Sequence, residues 1–163
     1  MKTIEEVRKI CEELMLSRGY HVDFPIEVNK RLKTTFGRVT VDYSLNQVDK
    51  MEFAAVLLDS DNDAEIIETI KHETAHVLAF YYDFEKHGHD ALWKNIYFEL
   101  GGNGEVYGNM SEIVGEKGFK YAVYCSGCGT FLRGFTRSCK TVQHPNMFVS
   151  KCCKKPLKIV QNW

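Results

Sequence analysis

His72-Glu73-Thr74-Ala75-His76 lies inside residues 64–82, a stretch that reads as one long helix. Ile66, Ile67, Ile70, Val77 and Leu78 recur at helical spacing and supply its buried face. Asp59-Ser60-Asp61-Asn62-Asp63 precedes it and offers N-cap side chains, while Asp63, Glu65 and Glu68 suit the positive end of the helix dipole. Gly88 is expected to break the pattern. On such a helix, histidines four residues apart project from one face about a turn apart, so both imidazoles can reach one ion. Zinc suits neutral imidazole nitrogen in a tetrahedral site. Glu73 is placed to reach a water on that metal, taking its proton as general base and passing it on as general acid.

A catalytic zinc needs a third protein ligand and one open position. A metzincin would carry Gly at position 79 and His at 82; Ala79 and Tyr82 exclude that class. His89 is the favoured third ligand, because the chain between it and His76 is long enough to reverse and return. Glu85 and Glu99 are alternatives, since a glutamate serves in other zinc enzymes. His87 could compete but reads as a surface histidine. His21 has no ligand spacing and reads as surface or satisfied structure.

Outward from this segment the chain reads as α+β. Residues 3–18 form an amphipathic helix, opened by a capping box of Thr3 and Glu6 and ended by Gly19. Cys11 lies on its apolar stripe and reads as core. Pro25 to Tyr43 looks like paired strands with a turn at Gly37, and Phe53 to Leu58 like a further strand. A third helix is expected from Asp90 to Leu100, with Leu92, Trp93, Ile96, Tyr97 and Leu100 facing inward. Gly101-Gly102-Asn103-Gly104 is the clearest break. The expected organisation is a core over residues 1–105, a linker over 106–119 and a basic module over 120–163.

Composition bounds the possibilities. With 163 residues, 44% hydrophobic and 26% charged, the chain is globular rather than disordered, collagenous or a disulfide miniprotein. No apolar run approaches the roughly 18 residues of a membrane helix. Glu5 and Glu6 stand where a signal peptide would be apolar, so a cytoplasmic location is expected, where thiols stay reduced. The six cysteines then read as metal ligands or buried apolar residues. Charge is split: residues 117–163 carry nine Lys and Arg and no Asp or Glu, whereas residues 1–116 carry 12 basic and 22 acidic residues. Such asymmetry points to a polyanionic partner for the basic end.

Within that end, Cys125-Ser126-Gly127-Cys128-Gly129 has the spacing of a zinc knuckle. Arg133, Arg137, Lys140, Lys151, Lys154, Lys155 and Lys158 could contact phosphates. Phe131, Phe135, Phe148 and Trp163 are interleaved and could stack on bases, although at least half of the phenylalanines are expected to form the module's own core.

His72-Glu73-Thr74-Ala75-His76, followed by Gly88-His89-Asp90-Ala91-Leu92-Trp93, resembles the SprT-like (Spartan) family of zinc metalloproteases. That family places its third histidine in such a loop, with an aromatic four residues later, here Trp93. It usually has glycine where this chain has Asp90. The resemblance extends upstream, with a strand over Val56 to Leu58 leading into the motif helix. It implies a zincin-like core and a C-terminal zinc-ribbon-like module with a second Cys-Xaa-Xaa-Cys before an apolar strand. The matching stretch is Ser150-Lys151-Cys152-Cys153 ahead of Leu157-Lys158-Ile159-Val160. Cys153 fits the last ligand position and Ser150 replaces the first. The fourth ligand of this second, structural zinc is then Cys152, Cys139 or His144.

The resemblance further implies an endopeptidase acting on DNA-bound or DNA-crosslinked proteins, with a nucleoid-associated location and single-stranded or junction-like DNA as partner. Two other readings stand beside it. One is a nucleic-acid-binding adaptor whose zincin site is weak or inactive; the other is a metal hydrolase of a non-peptide amide.

Overall fold

The computed structural model describes residues 1–106 and 113–163. The chain divides into two compact units, Met1–Gly108 and Asn109–Trp163. Both mix small sheets with helices, so the fold is α+β.

In the first unit, α1 (Ile4–Leu16) is opened by the Thr3/Glu6 capping box and buries Val7, Cys11 and Met15. Burial pushes the Cys11 thiol up to about 12, as befits a core residue. The sheet has three strands in the order β1 (Ile26–Asn29), β3 (Gln47–Ala54), β2 (Gly37–Asp42). β1 runs parallel to β3, and β2 antiparallel to it. The expected pairing within residues 25–43 therefore does not occur; both segments pair with β3 instead. β3 escaped the sequence reading except at its end, because Lys50 and Glu52 interrupt its apolar pattern. Glu52 is nonetheless buried, held by the side chains of Arg38, Lys50 and Asn29. Burial alone would raise its carboxyl, but those hydrogen bonds and charges hold it down to about 2.

Residues 55–58 are a second correction. They form a helical turn, α2 (Ala55–Leu58), where a strand was expected. Pairing with β1 ends at Asn29 opposite Ala54, so the next backbone groups have no ladder to join. They close a local helical bond instead, Asp59 N–H to Ala55 O at 2.9 Å. Gly37 is a third: it opens β2 and marks no turn.

The long helix α3 (Asp63–Asp83) is N-capped by Asn62, whose side chain accepts from Glu65 N–H. It packs on α1 and β2. It ends earlier than Gly88, at Phe84, which takes a left-handed conformation at φ 61°. Then α4 (Ala91–Glu99) begins at Asp90, whose side chain caps Trp93 N–H. Trp93 and Tyr97 are buried against α3. No helix among the described residues is long and apolar enough to cross a membrane.

The second unit is a three-stranded antiparallel sheet, β5 (Phe131–Phe135), β4 (Tyr121–Cys125), β6 (Leu157–Gln161). Of the linker expected over 106–119, residues 107–112 lie outside those described. Its last residues pack within this unit: Phe119 is 4% exposed and fills the space over Gly134. Asn162 Nδ2 ties that segment down by donating to Glu116 O and Phe119 O.

Candidate functional site

The helical period sets out the first site. His72 and His76 stand one turn apart on α3, and the turn at Phe84 sends the chain back so that His89 meets them. His89 Nε2 lies 3.0 Å from His72 Nε2 and 3.3 Å from His76 Nε2. A small tetrahedral cation held by imidazoles at about 2.0–2.1 Å sets its nitrogens about 3.3 Å apart. The three histidines therefore fit such an ion and could hold one. Burial, chiefly, lowers all three pKa values, His72 to about 4 and His76 to about 3, which leaves them neutral with lone pairs available.

Trp93 is the shared wall behind them. Its ring centroid lies 4.7 Å from that of His72, 5.3 Å from His76 and 4.5 Å from His89, and its indole N–H donates to His72 O. An apolar shell of this kind fixes ring orientation and limits solvent access.

The loop that brings His89 is fastened by His87. Its Nε2 lies 2.9 Å from Asp83 Oδ1 and its Nδ1 2.8 Å from Asp90 Oδ2. Those two carboxylates raise its pKa. With a side chain only 12% exposed and both nitrogens committed, His87 is neither a competing ligand nor a free surface histidine. Asp90, standing where glycine is usual in the family resembled, both receives His87 and caps α4. Glu99 pairs with Arg18, and Glu85 lies on the rim of the cleft. His21 is exposed.

Glu73 is 5% exposed, and burial pushes its carboxyl up to about 8. It faces a cleft of about 330 Å³ between α3 and β2, into which the three histidines also open. Gly37 makes this possible and was missed as a site residue. A Cβ there would stand 2.5 Å from Glu73 Cγ and 2.6 Å from Oε1, so only glycine lets β2 pass the carboxylate. Nothing in the sequence around Gly37 separates such a contact from an ordinary turn.

A second cluster lies in the other unit. The Sγ atoms of Cys125, Cys128, Cys152 and Cys153 all lie within 4.8 Å of one another, with Cys128 and Cys152 3.6 Å apart. Four thiolates around a tetrahedral ion at about 2.3 Å stand about 3.8 Å apart, so this group also fits a metal. Cys139 and His144 are not brought into it. The turn 126–129 faces the turn 150–155: Ser126 N–H donates to Pro156 O, and Ser150 N–H to Lys155 O. Ser150 is 2% exposed and its hydroxyl lies 3.1 Å from Cys125 Sγ. That hydroxyl is placed to orient the Cys125 sulfur, and the vicinal pair Cys152-Cys153 supplies the other two sulfurs beside Cys128. Hydrogen bonds from Ser150 and from the amides of Cys128 and Gly127 draw Cys125 down to about 6. Hydrogen bonds from the Cys153 thiol to the sulfurs of Cys128 and Cys125 keep it protonated and push it up to about 12. A cation would relieve that conflict.

The seven basic residues singled out above are all exposed, and no described ion pair involves any of them. They do not form a single stripe. Register places Arg133 beside Val123 and Lys158 beside Tyr124, on opposite faces of the sheet. Phe131, Phe135 and Phe148 are half-buried, and Arg133 lies over the Phe135 ring at 4.6 Å. Trp163 is 65% exposed.

A buried carboxyl beside three convergent imidazoles, open to a cleft, makes a candidate metal site, and the family match that follows gives it a metalloprotease-like setting. The family model of the SprT-like family matches residues 5–111, and the chain belongs to that family. Among curated proteins, none matches it.

Proposed function

We propose that this chain is a zinc-dependent endopeptidase with a zincin-like core, recruited to DNA to cleave proteins bound or crosslinked to it. The observation that carries the reading is the convergence of three imidazole Nε2 atoms beside a buried glutamate in a SprT-like chain. His72, His76 and His89 would hold zinc, which when bound would supply a Lewis acid for the carbonyl oxygen and for an attacking water. Glu73 accepts the proton of the attacking water and delivers it to the nitrogen of the departing amine. Burial raises its carboxyl pKa in the metal-free protein, and a bound cation beside it would favour the ionised form that can accept a proton. Trp93 keeps the imidazoles oriented, and the His87 clasp keeps the His89 loop closed.

The second unit supports recruitment. Its exposed cations suit a phosphate backbone, and Trp163 offers a free face for stacking on an unpaired base. Cys125, Cys128, Cys152 and Cys153 would hold a structural zinc that fixes the two facing turns.

The test is cleavage of a DNA-binding protein by the zinc-loaded chain, with and without single-stranded DNA, beside Glu73→Gln. DNA-stimulated cleavage that disappears in Glu73→Gln while zinc stays bound upholds the mechanism. No cleavage, despite full zinc and measurable DNA binding, moves the reading to an adaptor. Cleavage without any salt-sensitive DNA binding refutes recruitment.

A further inference from the structure

The cleft beside Glu73 has two chemically different ends. Along α3, His72, His76 and Phe80 follow at intervals of four, so Phe80 continues the line of ligands one turn on. Along β2, Gly37, Val39 and Val41 alternate toward one face, and Tyr43, in the turn just past the strand, lines the same cleft. All of these line the same cleft. One end therefore holds Gly37, Glu73 and the imidazoles, while Val39, Val41, Tyr43 and Phe80 give the other an apolar wall; Arg38, Glu85 and Lys86 line the same cleft. Phe80 closes the apolar end from below and is buried, with the Tyr43 ring set edge-on to it at 5.8 Å. Tyr43 is 47% exposed, and Val39 and Val41 are partly exposed. These are large apolar side chains whose free faces point into a cleft continuous with the candidate site.

Resting on the endopeptidase reading above, we propose that this apolar end is a specificity subsite. It accepts an aromatic or large aliphatic side chain of the polypeptide being cut. One helical turn is about 5.4 Å, and an extended chain advances about 3.3 Å per residue. The selected side chain therefore lies within two residues of the scissile bond. A lysine or glutamate there would set its charge against the apolar walls of Val41 and Phe80 and bury little apolar surface, and such a mismatch is discriminated against. The cleft volume of about 330 Å³ admits a few side chains of an extended segment and no folded domain.

The test uses the full, zinc-loaded chain and a set of peptides identical except at one position. That position is Phe, Leu, Ala, Lys or Glu, moved in turn through the two residues on either side of the cut. At one of these positions kcat/KM for Phe or Leu should exceed that for Lys or Glu by roughly 10-fold or more. Val41→Glu should turn the preference at that same position toward Lys, and Tyr43→Ser should weaken the preference for Phe. A flat profile at all four positions overturns the subsite while leaving the endopeptidase reading intact. A preference that both variants leave unchanged overturns it too, since other residues would then be selecting. If no peptide is cut, the endopeptidase reading fails, and the subsite is judged by binding. N-acetyl-phenylalaninamide, titrated at millimolar concentration into the full chain, should shift the Val39 and Val41 methyl resonances saturably, whereas N-acetyl-lysinamide should not. Equal shifts with both probes, or shifts with neither, overturn it.

Discussion

Gly37→Ala adds a single methyl group, and its position is set by the backbone of β2. The new Cβ would lie 2.5 Å from Glu73 Cγ, 2.6 Å from Oε1 and 2.8 Å from Cδ. Unstrained carbon contacts lie at about 3.5–4.0 Å, so one side must yield by about 1 Å. The strand is held on its other edge by β3, with Gly37 opposite Phe53. The glutamate side chain is therefore what moves. A misplacement of about 1 Å costs on the order of 100-fold in rate, or ~2.7 kcal/mol of transition-state stabilisation. Overpacking adds a stability loss of about 1–3 kcal/mol. No imidazole touches the new methyl among its three nearest neighbours, so zinc should remain bound. The assay is kcat/KM on a peptide substrate, with zinc content and thermal melting measured on the same preparation. A fall of about 100-fold with zinc retained is the expected result. Wild-type kcat/KM would refute the contact between β2 and the base. Loss of zinc together with activity would mean that the site had collapsed, contrary to the geometry.

Four further outcomes are expected. Metal-free Glu73→Gln should be more stable than the metal-free wild type. The folded pKa of Glu73 is about 8 against 4.5 when unfolded, so its favourable neutral form is fully present below pH 4.5 and is lost as pH rises toward 8. The gap, read by denaturant unfolding, should open across that window to on the order of 3 kcal/mol at pH 7; a gap that closes with rising pH would contradict it. His89→Ala should lower zinc affinity severely and His87→Ala more mildly, by loosening the loop; chelator competition giving wild-type affinity for His87→Ala would show that the clasp does no positioning. Cys152→Ser should remove metal from the second unit, whereas Cys139→Ser and His144→Gln should leave it; the reverse stoichiometry would reassign the fourth ligand. Glu52→Gln should flatten the loss of stability on acidification between about pH 4.5 and 2, because the carboxylate stabilises the fold above that window and stops doing so within it; an unchanged acid limb in urea melts would place the acid sensitivity elsewhere.

The longer helices α1, α3 and α4 were legible in the sequence because each obeys one period over several turns and carries its own cap. Thr3 caps as its capping box implies, Asn62 is the one of the five candidates at 59–63 that caps, and Asp90, read as the first helical residue, caps α4. The sheet was less so. β3 joins β1 to β2, yet its Lys50 and Glu52 look like a polar break. Only the fold shows that, from the neighbouring strands, Arg38 comes to pair with Glu52 and Asn29 to donate a hydrogen bond to it. The same holds at Ala55–Leu58, whose apolar run suits strand or helix equally. What decides is where the partner strand stops, and that is a property of β1.

The candidate sites divide along the same line. His72, Glu73 and His76 could be read because one helix sets their spacing, and the chemistry of a shared ion demands that spacing. Gly37 could not, since the contact that constrains it comes from a residue 36 positions away. The cysteine cluster lies between these cases. Cys125 and Cys128 share one turn and were legible, but the facing turn departs from the expected pattern. Ser150 occupies the buried place of a ligand and hydrogen-bonds to Cys125, while Cys152 and Cys153 bring adjacent sulfurs to the group. Adjacent cysteines on a regular strand would point to opposite faces. They converge here because the segment is a turn, with Lys154 at φ 55° and its N–H bonded back to Ser150 O. Ligand sets that one element imposes can be read from spacing, whereas those closed by the meeting of two turns depend on backbone conformations that spacing does not encode.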